Sequence, residues 1–190
     1  MNGKQLKNSI LQWAIQGKLV PQDPNDEPAS VLLERIRAEK ARLVKEKKIK
    51  KDKNESIIYR GEDNSYYEKF LATGEVKCID EEIPFEIPQG WEWSRMGSIG
   101  DWGAGATPAK GNTSYYGGNI LWLRTGELNN SIVNDTEIKI TDKALKECSL
   151  RLNKAGDVLI AMYGATIGKV AIAGCELTTN QACCACTPIG

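Results

Sequence analysis

Residues 154–172, with the sequence KAGDVLIAMYGATIGKVAI, give the clearest indication of the fold class. Two runs of aliphatic and β-branched residues, 157–162 and 169–173, flank a segment that contains Gly164 and Gly168. Short apolar runs separated by a glycine-rich turn are typical of two strands joined as a hairpin. The stretch therefore predicts a β-hairpin inside a strand-rich domain.

Further short apolar runs on both sides of the hairpin extend this pattern. They are residues 119–124, 137–140 and 182–186. Residues 142–148 predict one short helix, with Thr141 as its N-cap. The domain opens near Ile83 with IPFEIPQGWEW, in which prolines limit two extended segments and two tryptophans can anchor the edge of a core. We predict a β-rich mixed domain over residues 83–190.

The first 53 residues predict a helical hairpin. Leu6, Ile10 and Trp13 recur at the period of one helical face, which predicts a first helix over residues 3–16. Three prolines between residues 21 and 28 cannot continue that helix, so they form a turn. A second helix then runs to about Lys51.

The second helix carries a narrow apolar seam among many charges. The predicted packing positions are Leu32, Leu33, Ile36 and Leu43. Such a seam favours packing against another helix, as in a coiled coil, over the alternatives of a solvated helix or a nucleic-acid-binding tail. Two dozen residues at about 1.5 Å each make a spacer about 35 Å long. The predicted fold class is α+β, with a long helical coiled-coil arm followed by the β-rich domain.

Charge is unevenly distributed along the chain although the net charge is zero. Residues 1–53 carry 13 Lys/Arg against 7 Asp/Glu, residues 54–96 carry 4 against 10, and residues 97–190 carry 8 against 8. Residues 54–82 lack periodicity, and we interpret them as an acidic linker. The balanced C-terminal part predicts that a nucleic-acid-binding role would need phosphate contacts from partner subunits.

Several classes of protein are disfavoured by what the sequence lacks. It has no histidine, and its six cysteines lack paired metal-ligand spacing, so we expect no metal site and no cofactor. A Cys183-Cys184-Ala185-Cys186 cluster is better explained by packing in a strand than by a soft metal. Neither a membrane-spanning run nor a signal peptide is present, so we expect a cytoplasmic protein without membrane contact.

Four motifs resemble the specificity subunits of Type I restriction-modification enzymes. Residues 6–43, LKNSILQWAIQGKLVPQDPNDEPASVLLERIRAEKARL, look like the conserved helical region of that family. Three later motifs resemble the opening half of its target recognition domains, which makes that domain incomplete in this chain. They are IPQGWEWSRMGSIG (87–100), GAGATPAKGNTSYYGGNILWLRTGEL (103–128) and KAGDVLIAMYGATIGKVAI (154–172).

The resemblance implies a non-catalytic subunit that recognises double-stranded DNA. In that family each recognition domain reads half of a split target, and antiparallel helices set the spacing between the halves. Methyltransferase (modification) subunits and a restriction/translocase subunit would be the partners, and S-adenosylmethionine would bind elsewhere. No Asn-Pro-Pro-Phe/Tyr motif of adenine methyltransferases is present in the sequence.

Polar side chains in glycine-rich segments are the candidates for DNA contact, since base edges are read by donors and acceptors on closely approaching backbone. The predicted residues are Thr107, Lys110, Asn112, Thr113, Ser114, Tyr115, Arg124, Thr125, Tyr163, Thr166, Lys169, Asn180 and Gln181. Without the resemblance, the segment 103–118 would be interpreted as an ordinary surface loop. Arg124 has the alternative role of an ion pair with Glu127.

Two other functions compete with DNA recognition. The chain could act mainly through its helical arm, binding a modification subunit or a second copy of itself, without recognising DNA alone. A small hydrolase built on Asp101, Glu127 or Asp157 is disfavoured because these acids lie at turn or strand boundaries, where solvated carboxylates are ordinary. A nucleotide-binding role lacks the GxxxxGK[ST] motif and the dinucleotide fingerprint.

Overall fold

The computed structural model describes residues 2–190 and divides them into two compact units. The N-terminal unit comprises residues 2–99 with Gly190, and the C-terminal unit comprises residues 100–189. Met1, at which the predicted hairpin 1–53 starts, lies outside the described residues. The β-rich mixed character predicted from the sequence is confirmed, but the long helical arm is not.

Two helices open the N-terminal unit, α1 (Gly3–Ile15) and α2 (Ala29–Lys45). The side chain of Asn2 caps α1 by accepting a hydrogen bond from the Gln5 backbone at 2.9 Å. Helix α2 ends six residues before the predicted Lys51, because Lys47 has a left-handed backbone with φ of 58°. Its 17 residues span about 26 Å. A long coiled-coil spacer is therefore not shown by this structure.

The predicted packing seam of α2 is partly covered within its own unit. Ile36 is buried, Leu33 and Leu43 are half-buried, and Leu32 is exposed. The neighbouring Lys40 is also buried, and its Nζ donates a 2.6 Å hydrogen bond to the carbonyl oxygen of Gly97. Helix α2 thus packs against the segment that ends the unit.

The predicted linker is instead a three-stranded antiparallel sheet. Its strands are β1 (Ser56–Arg60), β2 (Tyr66–Phe70) and β3 (Val76–Cys78), in the order β1-β2-β3. Tyr66 and Ile79 are its buried apolar residues, and buried Glu68 binds Arg95 and the Ser56 hydroxyl. The prediction of a linker over residues 54–82 is therefore wrong. The sequence shows little apolar periodicity there because a charged residue, Glu68, occupies a buried position of the sheet and pairs with Arg95.

The segment after this sheet belongs to the N-terminal unit, up to Ile99, and not to a domain that starts at Ile83. The amide of Ala29 donates to the carbonyl of Gly90 at 2.8 Å, and the indole of Trp91 donates to Gln22 at 2.8 Å. Short 3-10 helices cover Asp80–Glu82 and Met96–Ser98.

The C-terminal unit contains eight strands and one short helix. They are β4 (Gly100–Ala104), β5 (Tyr116–Leu123), β6 (Ile132–Val133), β7 (Ile138–Ile140), α3 (Asp142–Glu147), β8 (Val158–Ala161), β9 (Val170–Ala173), β10 (Thr178–Thr179) and β11 (Cys183–Pro188). A five-stranded sheet has the order β4-β11-β8-β9-β6, and a three-stranded sheet has the order β10-β5-β7. Strands β8 and β9 form the predicted antiparallel hairpin.

An apolar core holds the C-terminal unit together. Leu123, Leu128, Leu159 and Leu177 are at most 2% exposed and belong to one cluster with the small residues of β8, β9 and β11. Trp122, Ile140 and Ala144 form a second cluster beneath α3. Cys183 packs into the first cluster, and burial raises the pKa of its thiol to about 11.

Within residues 2–190 no helix is long and apolar enough to cross a membrane.

Candidate nucleic-acid interface

Several loops of the C-terminal unit lie together where the strands of its five-stranded sheet begin or end. Strand β11 runs antiparallel to both neighbours, and its first residues pair with the last residues of β4 and β8: Cys184 with Ala104, and Cys183 with Ala161. The segments that follow β4, follow β8 and precede β11 therefore lie together. We call residues 105–110, 124–130, 162–169 and 180–182 the loop edge.

Strands β5 and β10 end at the same place. They are parallel, with Thr179 opposite Leu123, and the amide of Asn180 donates to the carbonyl of Leu123 at 3.0 Å. Because the two strands end side by side, Arg124 and Thr125 emerge next to Asn180 and Gln181. These four predicted residues come from distant parts of the sequence, and the sheet brings them together.

The segment after β4 is held tightly against β10. The amide of Ala106 donates to the carbonyl of Thr179 at 3.0 Å, and the indole of Trp122 donates to the carbonyl of Ala106 at 3.0 Å. A Cβ at Gly105 would lie 2.0 Å from the carbonyl oxygen of Thr179, a distance that no side chain can occupy. One residue further along, the hydroxyl of Thr107 hydrogen-bonds to Gln181.

The hairpin between β8 and β9 supplies a second group of predicted residues. It is tied to β11 by the amide of Met162, which donates to the carbonyl of Ala182 at 2.9 Å. Left-handed φ angles of 83° at Gly164 and 79° at Gly168 form its turns. Tyr163 and Lys169 are exposed and Thr166 is half-buried, so this hairpin presents hydroxyl and ammonium groups at the loop edge.

The charge of Arg124 is already matched within the protein. Its guanidinium pairs with Glu127 at 3.3 Å and with Glu137, and its backbone amide also donates to Glu127. The alternative role considered for Arg124, an ion pair with Glu127, is what the structure contains. A phosphate contact from this residue would require exchange of these partners.

Lys110 and Lys169 are the predicted basic residues without carboxylate partners. No ion pair of either is present in the part of the chain that the structure describes, and both side chains are exposed. Two free ammonium groups can bind phosphates without displacing an internal partner.

Asn180 has an unused hydrogen-bonding atom. Its Oδ1 is buried and has no partner among residues 2–190. A buried amide oxygen without a donor costs about 1–3 kcal/mol unless something supplies one. An amide side chain pairs well with adenine, and the exposed side chain of the neighbouring Gln181 has the chemistry needed to read a base edge.

Four predicted residues lie between the loop edge and α3. Asn112, Thr113, Ser114 and Tyr115 precede β5; the Asn112 amide donates to the carbonyl of Ala109 at 3.0 Å, and the Thr141 hydroxyl at the start of α3 donates to the carbonyl of Ser114 at 2.9 Å. The Asn112 side chain accepts hydrogen bonds from the amide and hydroxyl of Ser114, at 3.1 and 2.7 Å. These residues therefore form a second surface beside α3.

Tyr115 is bound to α3. Its hydroxyl donates to Glu147 at 2.9 Å, and this hydrogen bond raises the pKa of Tyr115. The Lys143 ammonium lies 5.9 Å from the centre of its ring. Tyr115 thus stabilises the second surface, and the single predicted loop divides into two groups.

Sequence reasoning missed the apolar side chains of the loop edge. Ile167 is 68% exposed at the turn of the β8–β9 hairpin, and Met162 is 39% exposed at its start. Exposed aliphatic groups can contact thymine methyl groups or sugars. In the sequence, Ile167 lies between two glycines of a turn. A search for polar side chains alone does not select such a residue.

The structure contains no grouping of three or more metal-ligating side chains over the residues it describes. Asp157 is buried at the start of β8 and accepts a hydrogen bond from the Lys154 amide at 3.0 Å. Asp101 pairs with Arg151 at 3.0 Å, and Glu127 binds Arg124, so the three acids considered for a hydrolase are separately engaged in structural contacts.

A protein-family model described as Type I restriction modification DNA specificity domain matches residues 88–190. Three curated relatives are similar to about half of the chain. The specificity subunit of the Type I restriction enzyme EcoAI from Escherichia coli is 55% identical over 94 residues, which are 50% of this chain and 13% of the relative. The EcoEI specificity subunit from Escherichia coli is 48% identical, covering 55% of this chain and 14% of the relative.

A more distant relative is the MjaIX specificity subunit from Methanocaldococcus jannaschii, which is 40% identical over 50% of this chain and 23% of the relative. The alignments with the three relatives thus span between 13% and 23% of their lengths. Among solved structures, the HsdS subunit from Thermoanaerobacter tengcongensis matches with a TM-score of 0.45 and 20% identity, covering 56% of this chain and 25% of that chain.

Proposed function

Because the chain belongs to the family of Type I restriction-modification DNA specificity domains, we propose that it reads one part of a split DNA target through its loop edge. It does so as a non-catalytic subunit that directs methyltransferase and restriction/translocase partners to double-stranded DNA. These partner activities are part of the proposal, since the alignments cover less than a quarter of the relatives' lengths.

The convergence of four chain segments at one sheet edge supports this proposal most strongly. They bring together the exposed amide of Gln181, the half-buried side chain of Asn180 and the hydroxyls of Thr107, Tyr163 and Thr166. Base edges are distinguished by this mixture of donors and acceptors, whereas phosphates alone would need only cations. We assign base reading to the loop edge.

The basic residues and the second surface have a different proposed role. Lys110 and Lys169 bind phosphates beside the bases that are read, and Asn112, Thr113, Ser114 and Tyr115 contact the adjoining sugar-phosphate backbone. Contacts of this kind fix register without reading sequence. Because the chain has no net charge, partner subunits supply much of the remaining phosphate contact.

Methylome mapping tests the assignment of base reading. The chain is combined with its cognate modification subunit, and the methylated motif is compared between wild type and a double variant, Asn180→Ala with Gln181→Ala. We expect the double variant to methylate a relaxed or altered motif, because each lost base contact is worth about 1–3 kcal/mol of discrimination. Asn119→Ala, an exposed asparagine in the middle of β5, is the matched control and keeps the motif.

The phosphate assignment is tested separately with Lys110→Ala combined with Asn112→Ala. We expect weaker DNA binding with a smaller salt dependence and an unchanged motif, since phosphate contacts carry no direct sequence information. An unchanged motif in the Asn180/Gln181 variant, with methylation retained, would refute the assignment of the loop edge.

One observation favours a second candidate function. None of the residues of α1 is buried, and Leu6, Ile10 and Trp13 are between 41% and 54% exposed on one face. An exposed apolar helical face is typical of an interaction surface, so the chain could act through its helices on a modification subunit or a second copy of itself. This function predicts oligomers in solution, detectable by light scattering, and DNA binding without sequence preference.

A further inference from the structure

The N-terminal unit contains a cavity of about 350 Å³ between α2, β1 and the segment 92–98. Leu33 and Arg37 line it from α2, all of β1 lines it from the sheet, and Trp93 lines it from the third side. This volume lies at the lower end of the range of about 300–1,000 Å³ that binding pockets occupy. All residues that line the cavity belong to the N-terminal unit, and none of them is among the proposed DNA contacts.

One wall of the cavity is an unpaired strand edge. Strand β1 pairs with β2 alone. The amide of Leu71 donates to Glu55, and the amide of Gly61 donates to Ser65, at 2.9 and 2.8 Å. Since antiparallel pairing alternates, every second residue between Glu55 and Gly61 directs its backbone away from β2.

The residues that face away are Ser56, Ile58 and Arg60. Their backbone groups have no hydrogen-bond partner within residues 2–190. A strand edge of this kind can accept an extended peptide as an additional strand.

Arg37, which lines the cavity, is an arginine without an ion pair among residues 2–190. Four of the five arginines in the N-terminal unit pair with carboxylates: Arg35 with Glu27, Arg42 with Glu39 and Glu46, Arg60 with Glu86, and Arg95 with Glu68 and Glu82. No ion pair of Arg37 occurs in the described part of the chain, although its side chain is half-buried. A half-buried guanidinium without a carboxylate favours an external anionic partner.

Trp93 forms an aromatic part of the cavity wall, and its ring packs against Phe85 with centroids 5.2 Å apart. The one acid that lines the cavity, Glu92, is exposed. The wall therefore offers an arginine without a carboxylate partner in the described chain, next to the apolar side chains of Leu33 and Trp93.

We propose that this cavity binds an extended segment of a partner protein that carries an acidic side chain. The segment adds to the free edge of β1 through main-chain hydrogen bonds to Ser56, Ile58 and Arg60. Its carboxylate accepts hydrogen bonds from Arg37, and its apolar side chains pack against Leu33 and the ring of Trp93. This inference does not depend on the proposed DNA recognition and assigns a partner contact to the N-terminal unit.

Titration of the full chain with a capped tripeptide, acetyl-Val-Glu-Val-amide, tests the proposal by NMR. We expect saturable shifts of the Trp93 indole resonance, identified with Trp93→Phe, and slower hydrogen exchange of the amides of Ser56, Ile58 and Arg60. The neutral analogue acetyl-Val-Gln-Val-amide should bind at least about tenfold more weakly, because a hydrogen bond from Arg37 to a neutral amide is weaker than one to a carboxylate.

Two arginine variants separate binding from folding. Arg37→Gln should weaken binding of the Glu peptide by about tenfold, whereas Arg35→Gln, which removes a paired arginine from the same helix, should leave it unchanged. Absence of saturable shifts with the Glu peptide, or equal binding by the Arg37→Gln variant, would overturn the proposal. Acetate that shifts Trp93 as strongly as the peptide, without protecting the β1 amides, would overturn strand addition.

Discussion

The two units of the chain are stabilised in different ways. The C-terminal unit has a core cluster in which Leu123, Leu159 and Leu177 are fully buried. In the N-terminal unit Ile36, Tyr66 and Ile79 are the buried apolar residues, while buried Glu68 and Lys40 depend on polar contacts. We infer that apolar burial stabilises the C-terminal unit and that hydrogen-bonded charges contribute a larger share in the N-terminal unit.

This difference in stabilisation is related to the surfaces that each unit leaves accessible. A rigid apolar scaffold can hold loops in fixed positions, which base reading requires. A unit with few buried apolar groups keeps surface available, and α1 and the free edge of β1 are the surfaces left uncovered. Substitutions that remove the main stabilising contribution of each unit should therefore lower its stability by different amounts.

The largest effect is expected from the apolar core of the C-terminal unit. Leu159→Ala removes a fully buried side chain and should lower the free energy of unfolding of that unit by about 3 kcal/mol, through lost burial and a residual cavity. Denaturant-dependent hydrogen exchange of the β8 and β11 amides measures this loss. Ile167→Ala, at a 68% exposed position of the same unit, should change it by less than about 0.5 kcal/mol. Equal losses from the two variants would contradict the inferred role of the core.

An intermediate effect is expected in the N-terminal unit from Arg95→Gln. Glu68 has a side chain 6% exposed, and Arg95 holds it with a 3.0 Å hydrogen bond from Nε and a further bond from its terminal nitrogen. Because Arg95 is itself 41% exposed, we expect a loss of about 1–2 kcal/mol, below that for a fully buried pair. Exchange of the β1 and β2 amides reports it. Arg42→Gln, which removes an exposed pair from α2, should give no measurable loss.

The same variant has a predicted pH dependence. The hydrogen bonds from Arg95 hold the pKa of Glu68 below its ordinary value of 4.5. A lowered carboxyl pKa contributes stability that is present above pH 4.5 and is lost as the pH falls through the folded-state pKa. Between pH 7 and pH 3, wild type should therefore lose more stability in its N-terminal unit than Arg95→Gln does. Parallel pH profiles would show that the ion pair makes no contribution.

The smallest effect is expected from Thr141→Ala at the start of α3. The Thr141 hydroxyl accepts from the Ala144 amide at 3.3 Å and donates to the Ser114 carbonyl at 2.9 Å, so its loss should cost the C-terminal unit about 1 kcal/mol. Thr141→Ser should restore most of this stability. Asn2→Ala removes the corresponding cap from α1, and since α1 buries no residue, global unfolding of the N-terminal unit should be unchanged. Thermal unfolding followed by circular dichroism distinguishes these outcomes.

The sequence predicted β5, β7, β8, β9 and β11, because apolar runs there alternate with turns, but it missed β4, β6 and β10. Strands β8 and β9 begin one residue after the predicted starts at 157 and 169, and Thr141 caps α3 as predicted. The N-terminal sheet was missed because Glu68, which is buried on β2, is a residue type expected to be exposed to solvent. Its partner Arg95 is 27 residues away in the sequence, so the pairing was not apparent. Pairing over such a separation leaves no local periodicity.

The candidate site was predictable in its residue types and not in its arrangement. Gly105 and Asn112 belong to one glycine-rich segment, yet the first is fixed at the loop edge and the second lies before β5. Pairing of β5 with β7, and hydrogen bonds from Thr141 to Ser114 and from Tyr115 to Glu147, hold the second part of the segment beside α3. None of these partners is adjacent to the segment in sequence, so local chemistry could not reveal the division.

The close approach at Gly105 has a consequence for how the loop edge, proposed to read bases, can vary in sequence. Any larger residue there would collide with the Thr179 carbonyl, whereas a Cβ at Gly111 meets no atom within 4 Å. Selection can therefore act freely on the outermost residues of the segment while its root remains immobile. Randomised libraries should preserve position 105 and concentrate variation around position 111, where new specificities can arise without loss of folded protein.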